Sequence, residues 1–170
     1  MIAARALERG KVIYDALKRS GVEVVLYLPD SGTYPIQKLA EDDPEMRTFC
    51  CAREDEAVAI AGGIAFAGGL AAVVMDSSGV GWSAYIMAEC QQYRVPIVLV
   101  SSHSEALGEA HDHHNVARVM GEAIYQAVRV PYTVVTRLED AATIVEQSII
   151  TARGQKMPVG IVLPPYIMGT

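Results

Sequence analysis

Six nearly continuous apolar runs alternate with helical patterns along the chain, at residues 22–28, 46–51, 70–75, 96–101, 132–135 and 159–163. None of these runs shows the apolar/polar alternation of a half-exposed strand. Continuous apolar strands are typical of a parallel sheet that is covered by helices on both faces. The pattern therefore predicts one three-layer α/β/α domain over residues 1–170, with a six-stranded, mostly parallel sheet.

Helices are predicted between these strands, at residues 3–19, 35–40, 53–67, 82–93, 116–128 and 139–153. The first carries apolar residues at helical spacing and ends at Lys18-Arg19, which complement the helix dipole. Residues 76–81, rich in Ser and Gly, are predicted to form a turn into the helix that begins at Trp82.

Residues 57–75 carry no charge and are long enough to raise the question of a membrane span. Their composition excludes one, because Ala and Gly contribute little to insertion. Gly68-Gly69 is typical of a helix end, and a strand-like run follows it. We predict a buried helix whose small side chains let another backbone approach, with Glu54 at the mouth of that contact.

Composition limits the classes of function. Half of the 170 residues are hydrophobic (51%) and the mean hydropathy is +0.23, which excludes disorder and suits a partner surface. A net charge of −6 argues against binding to nucleic acid or to a membrane surface. The first residues lack the apolar core of a signal peptide, so a cytoplasmic protein is expected. Cys50, Cys51 and Cys90 suit a reducing compartment and match neither a disulfide framework nor a zinc site.

Ligands of such sheets bind at the carboxyl ends of the strands, where polar loops follow at residues 29–34, 53–56, 76–83 and 103–115. One of these loops has the spacing Gly79-x-Gly81-x-x-Ala84, which also occurs in dinucleotide-binding folds, with Glu105 as a ribose-binding acid. That fingerprint normally lies on the first strand of its unit, whereas here it follows the third. A nucleotide-binding or regulatory subunit without catalytic activity is the alternative function.

The last loop holds every histidine of the chain, at positions 103, 111, 113 and 114. Their spacing matches no known metal site, so a solvated loop is a better interpretation than a metal cluster.

Several of these motifs together resemble a known family. Glu54-Asp55-Glu56-Ala57, Gly62-Gly63, Ser78-Gly79-Val80-Gly81 and Arg94-Val95-Pro96-Ile97-Val98 are similar to motifs of the pyrimidine-binding (PYR) domain of thiamine-diphosphate enzymes. The resemblance is closest to sulfopyruvate decarboxylase α subunits and the matching half of phosphonopyruvate decarboxylase. It spans residues 11–163 in the same order of strands and helices.

The resemblance implies roles for individual residues. Glu54 would hydrogen-bond to the aminopyrimidine ring of the cofactor and is the principal catalytic residue. Asp30 would be an active-site acid, although the match is offset by one residue and a turn-forming role is an alternative. Adjacent His113 and His114 resemble the His-His pair of pyruvate-type 2-oxo acid decarboxylases and would protonate the carbon that loses CO₂, since an imidazole titrates near neutral pH. Sulfopyruvate decarboxylases do not characteristically carry this pair, and a solvated loop is the alternative. The pyrimidine would be contacted by Ser78, Gly79, Gly81 and Ser83, a segment that is otherwise read as a tight turn.

The resemblance also implies partners. In the family, Mg²⁺ and the diphosphate are bound by a Gly-Asp-Gly motif of the PP domain, which this sequence lacks. We therefore expect a PP-domain β subunit that binds Mg²⁺, with thiamine diphosphate at the interface, and a homodimeric contact between PYR chains. The implied reaction is decarboxylation of a 2-oxo acid to an aldehyde, with sulfopyruvate as the implied substrate.

Overall fold

The computed structural model describes residues 4–103 and 117–169. Its six strands form one sheet in the order β2-β1-β3-β4-β6-β5, and every pair is parallel. The strands are β1 Val24–Tyr27, β2 Arg47–Cys50, β3 Ala71–Met75, β4 Ile97–Ser102, β5 Tyr132–Val134 and β6 Pro158–Leu163. The predicted fold class is confirmed, and the sheet is parallel throughout.

Helices cover both faces of this sheet. They are α1 Ala4–Arg19, α2 Tyr34–Asp42, α3 Glu54–Phe66, α4 Ser77–Trp82, α5 Ala84–Gln92, α6 Glu122–Ala127, α7 Leu138–Gln155 and α8 Pro165–Met168. Successive strand residues point to opposite faces. In β3, Ala72 and Val74 accordingly pack with α1, α2, α7 and α8, whereas Ala71 and Val73 pack with α3 to α6. This double burial explains the continuous apolar runs.

Two predicted details of the helices were wrong, and one helix was not predicted. Residues 77–82 form helix α4 rather than a turn, because the carboxylate of Asp76 accepts hydrogen bonds from the first N–H groups of the helix. The predicted helix at 116–128 is interrupted at Gly121, and its described part is a 3₁₀ turn at Ala117–Val119 followed by α6. The short helix α8, which begins at Pro165, was not predicted.

The uncharged stretch 57–75 divides as predicted into a helix and a strand. Helix α3 ends at Phe66, Gly68 turns the chain with φ 89°, and β3 follows. None of the described helices combines the length and the apolar character that a bilayer span requires. Helix α3 is buried in the single chain on one side, at Ala57, Val58, Ala61 and Gly62. The predicted approach of another backbone to its other side stays a prediction.

Asp43 joins the first two helices through a charged hydrogen-bond cluster. Its Oδ2 accepts from Lys18 Nζ at 2.5 Å and from Tyr14 OH at 2.6 Å. The hydrogen bond from Lys18, followed by that from Tyr14, lowers the pKa of Asp43 from 3.8 to about 2. A folded-state pKa below the ordinary value contributes stability that is present above pH 3.8 and is lost as the pH falls toward 2.

We therefore expect Asp43→Asn to lower the free energy of unfolding at neutral pH. The difference from wild type should shrink as the pH falls from 3.8 toward about 2, because Asp43 of the unfolded wild type is then protonated while the folded protein loses the charge only near the lower value. Urea unfolding between neutral and acidic pH measures this dependence. Asp15→Asn is the control, because Asp15 pairs with Lys11 at an exposed position of one helix and such pairs contribute little. A deficit that does not change with pH would contradict the assignment.

Candidate active site at the carboxyl edge of the sheet

The strand order brings the predicted site residues to one edge of the sheet. Strands β2, β1, β3 and β4 are neighbours in this order, and they run parallel. The residues that follow each strand therefore share the carboxyl edge, which holds Asp30 after β1, Glu54 after β2 and Asp76 after β3. His103 follows β4. This is the edge at which ligands of such sheets bind.

Glu54 is the first residue of α3 and is half-buried. Its side chain lies against α4 at a position without a side chain, because a Cβ built on Gly79 would be 2.4 Å from Glu54 Cγ and 3.1 Å from Cδ. Gly79 itself is buried. The absence of a Cβ at this position is therefore what allows the carboxyl group of Glu54 to reach the end of β3.

Three consecutive acids begin α3, and they differ in their partners. Asp55 accepts two hydrogen bonds from the guanidinium of Arg53, at 2.8 and 2.9 Å. Glu56 accepts the backbone N–H of Ala52 at 2.9 Å, as the acid of a capping box does. The carboxyl group of Glu54 has neither a hydrogen bond nor an ion pair with any residue that the structure describes. It is thus available to a ligand.

The residues predicted to contact the pyrimidine lie in and after α4. Ser78 is half-buried and donates its hydroxyl to Asp76 Oδ2 at 2.5 Å. A Cβ built on Gly81 would lie 2.9 Å from Met120 Cβ, so this glycine allows the chain before α6 to approach α4. Ser83 is fully buried between α4 and α5, and its Oγ has no hydrogen-bond partner among the described residues. The cofactor contacts of these residues remain predictions.

The geometry of α4 disfavours the dinucleotide alternative. In a dinucleotide fold, the pyrophosphate binds to the free N–H groups at the start of the helix. Here the carboxylate of Asp76 accepts the N–H groups of Ser77 and Ser78, at 2.7 and 3.3 Å. A second anion at this position would meet a like charge. Glu105, the proposed ribose-binding acid, lies outside the described residues.

The carboxylate of Asp30 stabilises a turn in its own loop, which is the alternative role that the sequence indicated for this residue. Its carboxylate accepts the N–H groups of Gly32 and Thr33, at 3.2 and 3.0 Å, and the hydroxyl of Thr33 at 2.8 Å. These hydrogen bonds favour the ionised form, but burial and then the charge of Asp76 outweigh them and raise the pKa of Asp30. A carboxyl group with a raised pKa at a ligand-binding edge suits acid–base chemistry.

Asp76 was not among the predicted site residues. Besides the start of α4, its Oδ1 accepts the hydroxyl of Ser102, at the end of β4, at 2.8 Å. Burial raises the pKa of Asp76, but the hydrogen bonds from Ser78, Ser102 and the backbone outweigh it and the pKa is lowered. An acid directly before the first residue of a helix is a recognisable N-cap signal, and it could have identified the capping role of Asp76 but not its contact with Ser102.

Of the predicted histidines, His113 and His114 lie outside the described residues, as does His111. His103 is described, and its Nε2 lies 3.0 Å from Oε1 of Glu122, at the start of α6. Within residues 4–103 and 117–169, no group of three His, Cys, Asp or Glu side chains is placed to hold a metal ion. The catalytic role of the His113-His114 pair stays a prediction.

The side of the molecule that carries Glu54 also exposes large apolar side chains. We call this region the α3–α5 surface; it comprises Phe49, Ile60, Phe66, Trp82, Tyr85 and Tyr93. Phe66, Trp82 and Tyr85 are 69%, 66% and 72% exposed. The guanidinium of Arg53 lies 5.5 Å from the ring centre of Trp82, so the surface reaches the start of α3. In the opposite helical layer, the large apolar side chains that are exposed are Tyr34, Ile150 and Tyr166.

Comparison with known proteins identifies relatives of this site and fold. Residues 7–118 match the family described as "Thiamine pyrophosphate enzyme, N-terminal TPP binding domain". The chain is also similar to proteins named sulfopyruvate decarboxylase subunit alpha. The protein from Methanocaldococcus jannaschii is 33% identical over 57% of this chain and 58% of its own length. That from Methanothermobacter thermautotrophicus is 26% identical over 61% and 63%.

A third subunit of the same name, from Methanococcus maripaludis, is 22% identical over 92% of this chain and 95% of its own length. The first two matches thus span less than two thirds of those relatives. The family match, in contrast, covers α1 to β4 and therefore includes Asp30, Glu54 and the start of α4. On this evidence the chain belongs to the thiamine pyrophosphate enzymes, in the family of their N-terminal TPP-binding domain.

Proposed function

We propose that this chain is the pyrimidine-binding subunit of a thiamine-diphosphate-dependent 2-oxo acid decarboxylase of the sulfopyruvate type. The reaction converts a 2-oxo acid to an aldehyde and CO₂, and the proposed active form includes a separate PP-domain subunit. One observation carries the proposal. Among the acids that begin α3, Glu54 alone lacks a partner in the described residues, and it lies against the bare backbone of Gly79. The names of the relatives support the choice of substrate.

The residues of this chain fit the aminopyrimidine of the cofactor. When bound, thiamine diphosphate supplies a thiazolium ring that accepts the electron pair released as CO₂ leaves. The role of Glu54 is to share a proton with a ring nitrogen of the pyrimidine, which makes the amino group of that ring more basic. Its half-buried position beside the backbone of Gly79 leaves room for a flat ring to lie against the carboxyl group.

The binding of Mg²⁺ and of the diphosphate is assigned to the partner subunit. This sequence contains no Gly-Asp-Gly motif, and the relatives are themselves named as alpha subunits. The α3–α5 surface is the proposed contact with the partner subunit or with a second PYR chain. Large apolar side chains that are exposed on one side of a soluble protein suit a surface for interaction. This patch begins beside Arg53, the residue before Glu54, so a partner bound there would help to enclose the site.

If α3 lies in the interface, Gly63→Ala should stabilise the isolated chain but weaken its association with the partner. Gly63 lies on the exposed side of α3, and a Cβ at this position meets no atom within 4 Å. We expect Gly63→Ala to stabilise the isolated chain by about 0.5–1 kcal/mol, because Ala favours a helix over Gly. The added methyl group should weaken association with the partner, which needs a close approach to α3. Urea unfolding and a titration of subunit binding measure the two effects.

Gly154→Ala is the matched control for this experiment. Gly154 lies in α7, in the opposite layer, and a Cβ there also meets no atom within 4 Å. We expect the same gain in stability and unchanged association. If Gly63→Ala binds the partner as tightly as the wild type does, the contact lies elsewhere.

The proposed function is tested by co-purifying the chain with its PP-domain subunit and measuring CO₂ release. We expect release that depends on thiamine diphosphate and is fastest with sulfopyruvate, compared with phosphonopyruvate and pyruvate. Neither subunit alone should release CO₂. Nucleotide binding by the isolated chain, without thiamine-dependent CO₂ release by the complex, would favour the alternative of a nucleotide-binding subunit.

A further inference from the structure

Two carboxyl groups follow neighbouring strands at the candidate site. Asp76 directly follows β3, Asp30 lies in the loop after β1, and the two strands pair in parallel register. Burial of the Asp30 side chain and the charge of Asp76 both raise the pKa of Asp30. The protonation of Asp30 therefore depends on the charge of Asp76. Their hydrogen bonds indicate which of them loses its proton first.

Asp76 is surrounded by donors from two elements. Its oxygens accept the N–H and hydroxyl groups of Ser77 and Ser78, at distances from 2.5 to 3.3 Å. The hydroxyl of Ser102 adds a donor from β4 at 2.8 Å. A carboxylate that accepts several hydrogen bonds is strongly favoured over the neutral acid. The arrangement therefore stabilises a negative charge on Asp76.

Asp30 differs from Asp76 in the origin of its hydrogen-bond donors. It accepts hydrogen bonds from Gly32 and Thr33, which belong to its own loop. Gly32 is pressed against β4, since a Cβ built on it would be 2.8 Å from Ser102 Cβ. The side chain of Ser102, which donates to Asp76, thus lies beside the Asp30 loop as well. A charge on Asp30 would be placed close to the charge already held on Asp76.

We propose that Asp76 is a positioning residue that determines the order in which the two carboxyl groups lose their protons: Asp76 ionises first and Asp30 keeps its proton to higher pH. This inference rests on the proposed decarboxylation and takes Asp30, the active-site acid that the resemblance implies, as the proton donor in place of His113 and His114, which lie outside the described residues. When the bond to CO₂ breaks, its electron pair would be accepted by the thiazolium of the bound cofactor, and the pair would return to the substrate carbon when that carbon is protonated. The O–H bond of Asp30 then breaks as a C–H bond forms, and the carboxylate of Asp30 regains a proton from water.

Other charged groups at this edge must be considered in any dependence on pH. Glu54 and Arg53 lie at the start of α3, and His103 follows β4 and is paired with Glu122 of α6. Among the described residues, none of these side chains hydrogen-bonds to Asp30. Variants of Asp76 that leave these groups in place isolate the effect of the pair.

The test is a ¹³C NMR titration of the side-chain carboxyl groups in the full chain, without cofactor, with Asp30→Asn used for assignment. In Asp76→Asn the charge is removed, while Asn still caps α4. We expect the titration midpoint of Asp30 to move to lower pH in Asp76→Asn. An unchanged or higher midpoint would overturn the proposal, as would a wild type in which Asp76 titrates at higher pH than Asp30.

Two further variants keep the test decisive. Ser102→Ala removes one donor to Asp76 and should bring the midpoints of Asp76 and Asp30 closer together; an unchanged gap would count against the proposal. Asp15→Asn, which removes the charge of an exposed ion pair in α1, should change neither midpoint.

In the assembled enzyme, Asp76→Asn should move the basic limb of the kcat/KM profile to lower pH. The NMR result stands without decarboxylation, so a failure of the proposed function is distinguishable from a failure of the pair.

Discussion

We expect Glu54→Gln to lower kcat of the assembled enzyme by about a hundredfold or more, the range for a positioned acid–base group. Gln has nearly the same shape as Glu, so the contact with Gly79 is kept. Its amide, however, cannot take up and release a proton at the pyrimidine ring. Single-turnover release of CO₂ measures the loss, and calorimetric binding of thiamine diphosphate shows whether the cofactor is still bound.

Glu56→Gln is the matched control, because it makes the same chemical change two residues later. Glu56 accepts the N–H of Ala52 at 2.9 Å, and the carbonyl oxygen of Gln can accept the same hydrogen bond. We expect near wild-type kcat in this variant. If Glu56→Gln were the inactive variant and Glu54→Gln the active one, the pyrimidine would be bound by the other acid of this helical turn.

The sheet could be predicted from the sequence because its strands are buried on both faces. In β3, the residues Ala71 to Met75 are all buried, and this double burial appears in the sequence as an unbroken apolar run. Helix α4 could not be predicted in the same way. Gly79 and Gly81 indicated a turn, whereas the side-chain cap of Asp76 and the packing of Gly79 against Glu54 stabilise a helix there. Tertiary contacts thus outweighed local propensity.

The candidate site was only partly visible in the sequence. Glu54 was singled out because an acid stands beside a helix of small residues, but its lack of a partner depends on Arg53 turning to Asp55. The role of Asp76 depends on Ser102, which is 26 residues further along the chain and reaches Asp76 because β3 and β4 are paired. Pairings of this kind are set by the order of the strands, which local patterns do not specify.

The close contact between Gly79 and Glu54 leads to the second large expected effect. A Cβ at position 79 would be 2.4 Å from Cγ of Glu54, a distance that requires one of the two to move. Gly79 is buried in α4, whereas Glu54 begins α3 and is half-buried, so the glutamate side chain should be displaced. A displacement of about 1 Å in a catalytic group costs on the order of a hundredfold in rate. We expect that loss in kcat for Gly79→Ala, together with about 1–3 kcal/mol of lost stability from overpacking.

Gly10→Ala is the control that separates the loss of kcat from the loss of stability. A Cβ on Gly10 would be 2.6 Å from Pro35 Cβ, where α1 packs on α2, so this substitution overpacks the opposite layer to a similar degree. We expect urea unfolding to show comparable destabilisation, and kcat per folded enzyme to remain near wild type in Gly10→Ala alone. Equal losses of kcat in the two variants would mean that general destabilisation explains the result. The position of the Glu54 carboxyl group would then not depend on Gly79.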